Sequence, residues 1–205
     1  MANLFTDILA EGMAKGMLPS LTEEAIEWYR EKSQEVVVRD QKQVIRSNPI
    51  LMSKILSLPG FMYTFYYKPK NHETLPYHDR FPVVFPFRKT KEGFYGLNMH
   101  YLPLEFRAIL MDRLYPLATD QNYDEKTRLR LKYEILESSG KFRYFRPCVR
   151  QYLNSHTRTR YALIPANQWD IALFLPLERF IKPGGGFVQS QRVHRDSVRK
   201  IRRGR

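Results

Sequence analysis

Thr90-Lys-Glu-Gly93 and the run that follows it, Phe94-Tyr-Gly-Leu-Asn-Met-His-Tyr-Leu102, set the fold class of this 205-residue chain. Along the run Tyr95, Leu97, Met99 and Tyr101 alternate with Gly96, Asn98 and His100, the two-residue period of a strand whose faces meet different surroundings. The tight turn joins it backwards to a second strand, Pro82–Phe87. Before that lies the aromatic run Phe61–Tyr67, set apart by the polar stretch Lys68-Pro-Lys-Asn-His-Glu-Thr74. In the C-terminal direction, β-like segments return only at Arg160–Ile164 and at Ile171–Leu175, which continues into Leu177 and Phe180. Strands before and after a helical insertion predict an α+β protein built on a small, strongly bent antiparallel sheet or an SH3-like barrel.

Outside those strands the pattern is helical. Leu4, Phe5, Ile8, Leu9, Met13 and Met17 recur at helical spacing until Pro19 interrupts them. Lys15 is the only cation there, against Asp7 and Glu11, so the apolar face suits a protein surface better than a membrane, and Leu4, Phe5, Ile8 and Leu9 are its partner-binding residues. Ser20 followed by Glu23 reads as a capping box, with Glu23, Glu24 and Glu27 where a helix dipole favours them. Asn48-Pro49 opens a short apolar segment, Ile50–Leu58, closed by Pro59-Gly60. The insertion spans about residues 103–156. Pro103 opens a helix carrying Phe106, Ile109, Leu110 and Leu114, and a loop follows around Pro116–Tyr123. A second helix carries Leu129, Tyr133 and Leu136 and is capped by Gly140, and Pro147 opens a third with Val149, Tyr152 and Leu153. The organisation is thus N-terminal helices (1–58), a core with its insertion (59–183), and a glycine hinge with a basic tail (184–205). The tail is expected to be extended or disordered until a partner holds it.

Composition narrows the function. With 43% hydrophobic residues, 13 Tyr, 13 Phe and 2 Trp, the chain has the apolar area to fold. No stretch approaches the ~18 apolar residues of a membrane span, and no signal peptide is visible. Cys148 is the sole cysteine, which excludes a disulfide framework and a thiolate zinc site. The net charge of +13 is concentrated. Residues 126–160 hold ten basic and two acidic residues, residues 187–205 hold seven and one, and the remainder is close to neutral. Such a distribution is the footprint of a polyanion partner, most often nucleic acid, the alternative being a solvated basic face with a tail that docks on acidic protein.

Each chemistry-bearing residue also has a plain structural reading. The histidines, 72, 78, 100, 156 and 194, show no metal-ligand spacing, so neither a metal nor a cofactor is expected. His78-Asp79-Arg80 holds a base, an orienting carboxylate and a phosphate clamp, yet reads equally as a polar turn. Cys148 lies too far from His156 to pair with it and reads as a buried structural thiol. Lys141-Phe-Arg-Tyr-Phe-Arg146 interleaves cations with aromatics, and Arg150, Arg158 and Arg160 extend it. With Arg192, Arg195, Arg199, Lys200, Arg202 and Arg203 of the tail, Lys141, Arg143 and Arg146 form the expected nucleic-acid-binding set, suited to phosphates rather than to base sequence.

The strings Tyr63-Thr-Phe-Tyr-Tyr67, Leu75-Pro-Tyr-His-Asp-Arg-Phe-Pro82, Gly93–Pro103, Phe145-Arg-Pro-Cys-Val-Arg150 and Trp169-Asp-Ile-Ala-Leu-Phe-Leu-Pro176 resemble a family of virion structural proteins of T-even-type contractile-tailed bacteriophages. The resemblance covers about residues 60–180 and is to the DNA end protectors, head-completion proteins of that family. It implies a non-enzymatic virion component of the head–neck region, made in the host cytoplasm. Such a component shields packaged DNA ends, prepares the head for tail joining and is present in several copies within a symmetric assembly. Portal, neck, tail or baseplate subunits are its implied neighbours. Two other readings stay open at this level: a baseplate or tail component docking on virion proteins, and an SH3-like-barrel ribonuclease using His78 and Arg80.

Overall fold

In the computed structural model, which describes residues 4–19, 22–41, 52–53, 61–119, 122–142 and 144–203, the period-two run is a central strand. In chain order the elements are α1 (Leu4–Ala14), α2 (Glu23–Glu35), β1 (Met52–Ser53), β2 (Met62–Thr64), β3 (His78–Asp79), β4 (Val83–Lys89), β5 (Gly93–Asn98), α3 (Leu104–Thr119) and α4 (Glu125–Lys141). They continue with β6 (Val149–Leu153), β7 (Tyr161–Ile164), α5 (Trp169–Phe174), β8 (Phe180–Ile181), β9 (Phe187–Val188) and α6 (Ser190–Arg203). Among the described residues one antiparallel sheet runs β1-β7-β2-β4-β5-β6 and a smaller one runs β3-β8-β9. The larger sheet is bent but does not close on itself, so the barrel alternative gives way to an open α+β sheet. Its bend has a local cause. Between Pro86, which faces Gly96, and Arg88, which faces Tyr95, the register slips at Phe87, and such a bulge both turns a strand and excuses a proline within it.

The two faces of the sheet are buried differently. One carries Met62, Val83, Phe85, Phe87, Leu97 and Ile164 into the main core, where the helices cover it. The other carries Tyr63, Phe65, Tyr67, Val84, Phe94, Tyr152 and Tyr161. Phe65 is the hub of that aromatic layer, edge-on to Tyr161 at 5.1 Å and Tyr152 at 5.3 Å, while Tyr152 stacks on Phe94 at 5.2 Å. Such pairs add about 0.5–1.5 kcal/mol each beyond their burial.

Several expectations are corrected. Ile171–Leu175 is not a strand: Trp169–Phe174 is a helix buried on every side, and a segment with no solvent face shows neither period in its sequence. The helix expected from Pro147 is a single tight turn, Arg146–Cys148, after which Val149–Leu153 becomes the edge strand β6 on β5, as its β-branched and aromatic residues favour. The helix opened at Pro103 runs through Pro116 to Thr119, where a loop was expected. Gly140 lies inside α4, and Phe142 caps that helix through its N–H to Ser138 and Ser139 carbonyls. The long strand stops at Asn98 because the Asn98 side chain accepts from the His100 N–H and starts a turn, Met99–Tyr101. Thr22 caps α2 by accepting from the Ala25 N–H at 3.1 Å, whereas Ser20 lies outside the described residues. Of Ile50–Leu58, only Met52–Ser53 is described, and it is strand rather than helix, paired with β7.

Two corrections bear on function. The apolar face of α1 is occupied by the chain itself: Phe5 and Ile8 are buried in the main core, and Leu4 and Leu9 pack against it, so they are not free to bind a partner. Gly12 lets Tyr29 approach this helix, and the Tyr29 hydroxyl donates to the Met17 carbonyl at 2.9 Å. The glycine run is likewise not a free hinge. It forms the turn of the β8–β9 hairpin, with Gly184 and Gly185 at φ of 79° and 87°, conformations only glycine adopts without strain. The tail beyond it is the helix α6, seated on the core through Val193, Ser197 and Ile201.

Candidate nucleic-acid interface

The site is organised by a buried carboxylate. Asp79 ends β3 on the aromatic side of the sheet, where its Oδ2 accepts from His100 Nδ1 at 2.8 Å and from Asn98 Nδ2 at 3.1 Å, and its Oδ1 accepts from the Phe81 N–H. Asn98 Nδ2 also reaches the Tyr152 hydroxyl at 3.0 Å. The His100 side chain is fully buried, so this Asp–His pair touches no substrate; it ties β3 to β5 and β6. Burial also pushes the Cys148 thiol up to about 12, and its S–H donates to the Phe145 carbonyl. The cysteine is structural, as its surroundings in the sequence suggested.

Around this network the surface is basic in three neighbouring hollows. An open groove of about 720 Å³ lies between the β4–β5 turn and the segment after β6, lined by Lys89, Arg158 and Arg160 with Thr90, Asn154, Thr157 and Thr159, and among the described residues no carboxylate lines it. A hollow of about 240 Å³ holds Arg150 and Lys200 among Tyr67, Tyr77, Tyr101 and Tyr152. Here the Arg150 guanidinium lies 4.0 Å from the centre of the Tyr101 ring. The third, of about 350 Å³, lies under Tyr66 and Tyr67 and holds Lys68, Arg80 and Lys182. Tyr67 borders the second and third hollows and bridges Thr157 in the groove. Arg150 and Asn154 stand four residues apart, about 13 Å along an extended chain.

The C-terminal helix brings the second basic segment to the first. It packs against Met99–Tyr101 and Arg146–Cys148. There the His194 Nε2 faces the His100 carbonyl at 3.1 Å, and the Tyr77 hydroxyl, its pKa pushed up to about 12 by burial and then by Asp196, donates to Asp196 Oδ2 at 3.3 Å. Val193, Ser197 and Ile201 face inward, which turns Arg192, Arg195, Arg199 and Arg202 outward as one exposed stripe. Ten residues of helix span about 15 Å, so four guanidinium groups stand in a row of that length.

A second buried ion pair holds the floor beneath α6. Arg107, fully buried on α3, donates to the Leu102 and Leu173 carbonyls and pairs with Glu178, and its guanidinium also lies 3.4 Å from His194. Burial alone would raise the Glu178 carboxyl, but Arg107, His100 and the hydrogen bond from Arg107 outweigh it and hold the group at about 2.

The expected binding residues thus fall into groups. Arg158 and Arg160 share the groove, Arg150 and Lys200 share the aromatic hollow, Arg192, Arg195, Arg199 and Arg202 form the stripe, and Arg203 is the last residue of that helix. Lys141 and Arg146 are exposed but line none of the three hollows, and Arg143 lies outside the described residues. Lys68, Arg80, Lys89 and Lys182 were not in the expected set. Lys68, Arg80 and Lys182 lie in short stretches that also carry acids, and Lys89 lies in Arg88-Lys-Thr-Lys-Glu92, which reads as a tight turn. Among the described residues no three His, Cys, Asp or Glu side chains converge as metal ligands would, and no helix is long and apolar enough to cross a membrane.

Fold and surface define a basic α+β protein whose cations gather from distant segments around the aromatic side of an open sheet. Residues 16–197 match the family model described as phage T4 terminal DNA protecting protein, and the chain belongs to that family. It is accordingly a non-enzymatic structural protein of a bacteriophage, of the head-completion kind. No curated protein and no solved structure gives a match.

Proposed function

We propose that the protein binds the ends of packaged double-stranded DNA at the head–neck junction of the virion and shields them, with other virion subunits, portal and neck proteins first, as its neighbours. The observation that carries this reading is the groove of Lys89, Arg158 and Arg160, three cations with, among the described residues, no carboxylate on its walls, on a chain of the terminal-DNA-protecting family. Phosphates are attracted by such a surface without any reading of sequence, which suits a protein that meets whatever sequence lies at a terminus. The stripe on α6 adds four further guanidinium groups, and Lys200 of the same helix reaches the aromatic hollow. A repeated arrangement of copies around the DNA would multiply these contacts.

The family match favours this head-completion role over the baseplate or tail alternative. The ribonuclease reading of His78 and Arg80 loses its support, because the sheet is open rather than a closed barrel and the family is one of non-enzymatic structural proteins. Replacing Lys89, Arg158 and Arg160 together by Gln tests the groove. The variant should fold with an unchanged circular dichroism spectrum and bind linear duplex with a salt dependence shallower by about three phosphate contacts. Unchanged affinity and unchanged salt dependence would remove the groove from the interface.

A further inference from the structure

The hollow beneath Tyr66 and Tyr67 differs from the groove in one respect. Its cations surround a buried, unsatisfied imidazole rather than an open trough. Lys68 follows the Tyr67 bridge, Arg80 follows β3, and Lys182 lies in the β8–β9 turn, where its side chain folds over Gly186. Among the described residues none of the three has a carboxylate partner, and Arg80 has only the Tyr66 ring, 5.7 Å away. His78 stands between this hollow and that of Arg150 and Lys200, edge-on to the His72 ring at 6.5 Å, with 8% of its surface exposed, and its Nδ1 is buried with no hydrogen-bond partner. The one carboxylate on the wall, Glu73, lies 3.6 Å from His72 Nε2.

We propose that this hollow receives the terminal phosphate monoester of a DNA strand and so distinguishes a chain end from an internal phosphodiester. The inference deepens the DNA-end reading above and rests on it. A surface that only attracts phosphates binds the middle of a duplex as well as its end, so protecting ends requires a feature that ends alone possess. A terminal monoester carries close to two negative charges and three free oxygens, against one charge and two free oxygens for a diester. It also continues into chain on one side only, so it enters a recess that a diester would have to thread. Three unpaired cations and an imidazole without a partner match the charge and the acceptors of such a group. The mouth is open, since nothing lies within 4 Å of where a side chain would begin at Gly184 or Gly185.

Electrostatics at His78 agree. Burial is the main cause of its imidazole being pushed down to about 4. Asp79 opposes the shift, and the positive charges of His72, Arg80 and Lys68 reinforce it. A bound dianion would reverse the sign of that field.

The test follows the His78 ring resonances by NMR in the full-length protein, titrated with deoxyadenosine 5′-monophosphate, with the 3′-monophosphate, and with a dinucleoside monophosphate as the diester. A monoester is expected to shift His78 saturably and to raise its titration midpoint by about one to two pH units. The diester is expected to do neither, and whichever monoester acts identifies the terminus. Arg80→Gln, and separately the exposed pair Lys68→Gln/Lys182→Gln, should abolish the response. An equal response to diester and monoester, or none to either, overturns the inference. In a parallel arm, linear duplex with terminal phosphates should bind about tenfold tighter than the same duplex after dephosphorylation. Equal, tight binding of both would overturn this inference and leave end binding intact, whereas failure to bind either duplex would overturn the end-binding reading while the NMR titration still decides the hollow.

Discussion

Replacing Glu178 by Gln removes the charge that balances Arg107 at the base of the C-terminal helix. Arg107 is fully buried and cannot escape to water, so the variant keeps an ion with two carbonyl partners and no counter-charge. The Glu178 carboxyl is held near 2 in the folded chain, against an ordinary value of 4.5. At about 1.36 kcal/mol per pH unit, that depression corresponds to roughly 3 kcal/mol of stability at neutral pH. Breaking such a pair from one side costs about 3–5 kcal/mol in general, so the two routes agree in size. The sign follows from the depression. The contribution is complete above about pH 4.5 and drains away as the pH falls through about 2. Urea unfolding at pH 7 should show Glu178→Gln destabilised by about 3 kcal/mol, which moves the midpoint by roughly 1–1.5 M for a slope of about 2–3 kcal/mol per M. Between pH 4.5 and 2, wild type should approach the variant. Replacing both residues by Leu should recover much of the loss, since no unpaired ion then remains. A variant within about 1 kcal/mol of wild type at pH 7 would show that the pair is worth no more than an exposed one.

Two further outcomes are expected. Substituting Arg192, Arg195, Arg199 and Arg202 together by Gln should leave α6 folded, because its buried stripe is untouched, and should lower the slope of log affinity against log salt for duplex DNA by about 3.6; an unchanged slope would show that the stripe faces protein instead. Native protein at pH 8 should show no reaction of Cys148 with a thiol reagent, and full reaction once unfolded, since the thiol is buried and its pKa lies near 12; rapid labelling of the native protein would contradict its place in the core.

How much of this was legible in the sequence depended on how each segment meets solvent. Gly93–Asn98 and the strand before it were readable because their two faces differ, and the Leu4–Ala14 helix because one of its faces is polar. Trp169–Phe174 was misread because all six residues are buried, which erases any period. Val149–Leu153 was misread because Pro147 opens only one turn before the chain extends. In the tail, Val193 and Ile201 stand at helical spacing with the small Ser197 between them, a narrow stripe outweighed by the surrounding arginines. The cationic groups of the site were legible where they clustered along the chain, at Arg150, Arg158 and Arg160. Lys68, Arg80 and Lys182 became a group only through the pairing of β3 with β8, a contact across about 100 residues that no local pattern announces. The role of Asp79 was hidden for the same reason, since its partners Asn98 and His100 reach it from another strand.

Shielding of DNA ends by the protein is open to a single exonuclease experiment. A linear duplex is incubated with the protein near physiological salt and digested from its termini, with a closed circle of the same sequence as competitor. The linear DNA should survive at protein concentrations too low to coat it, and an excess of the circle should not strip the protection away. Digestion at the rate of naked DNA, or protection that the circle removes as readily as linear DNA does, would contradict end shielding.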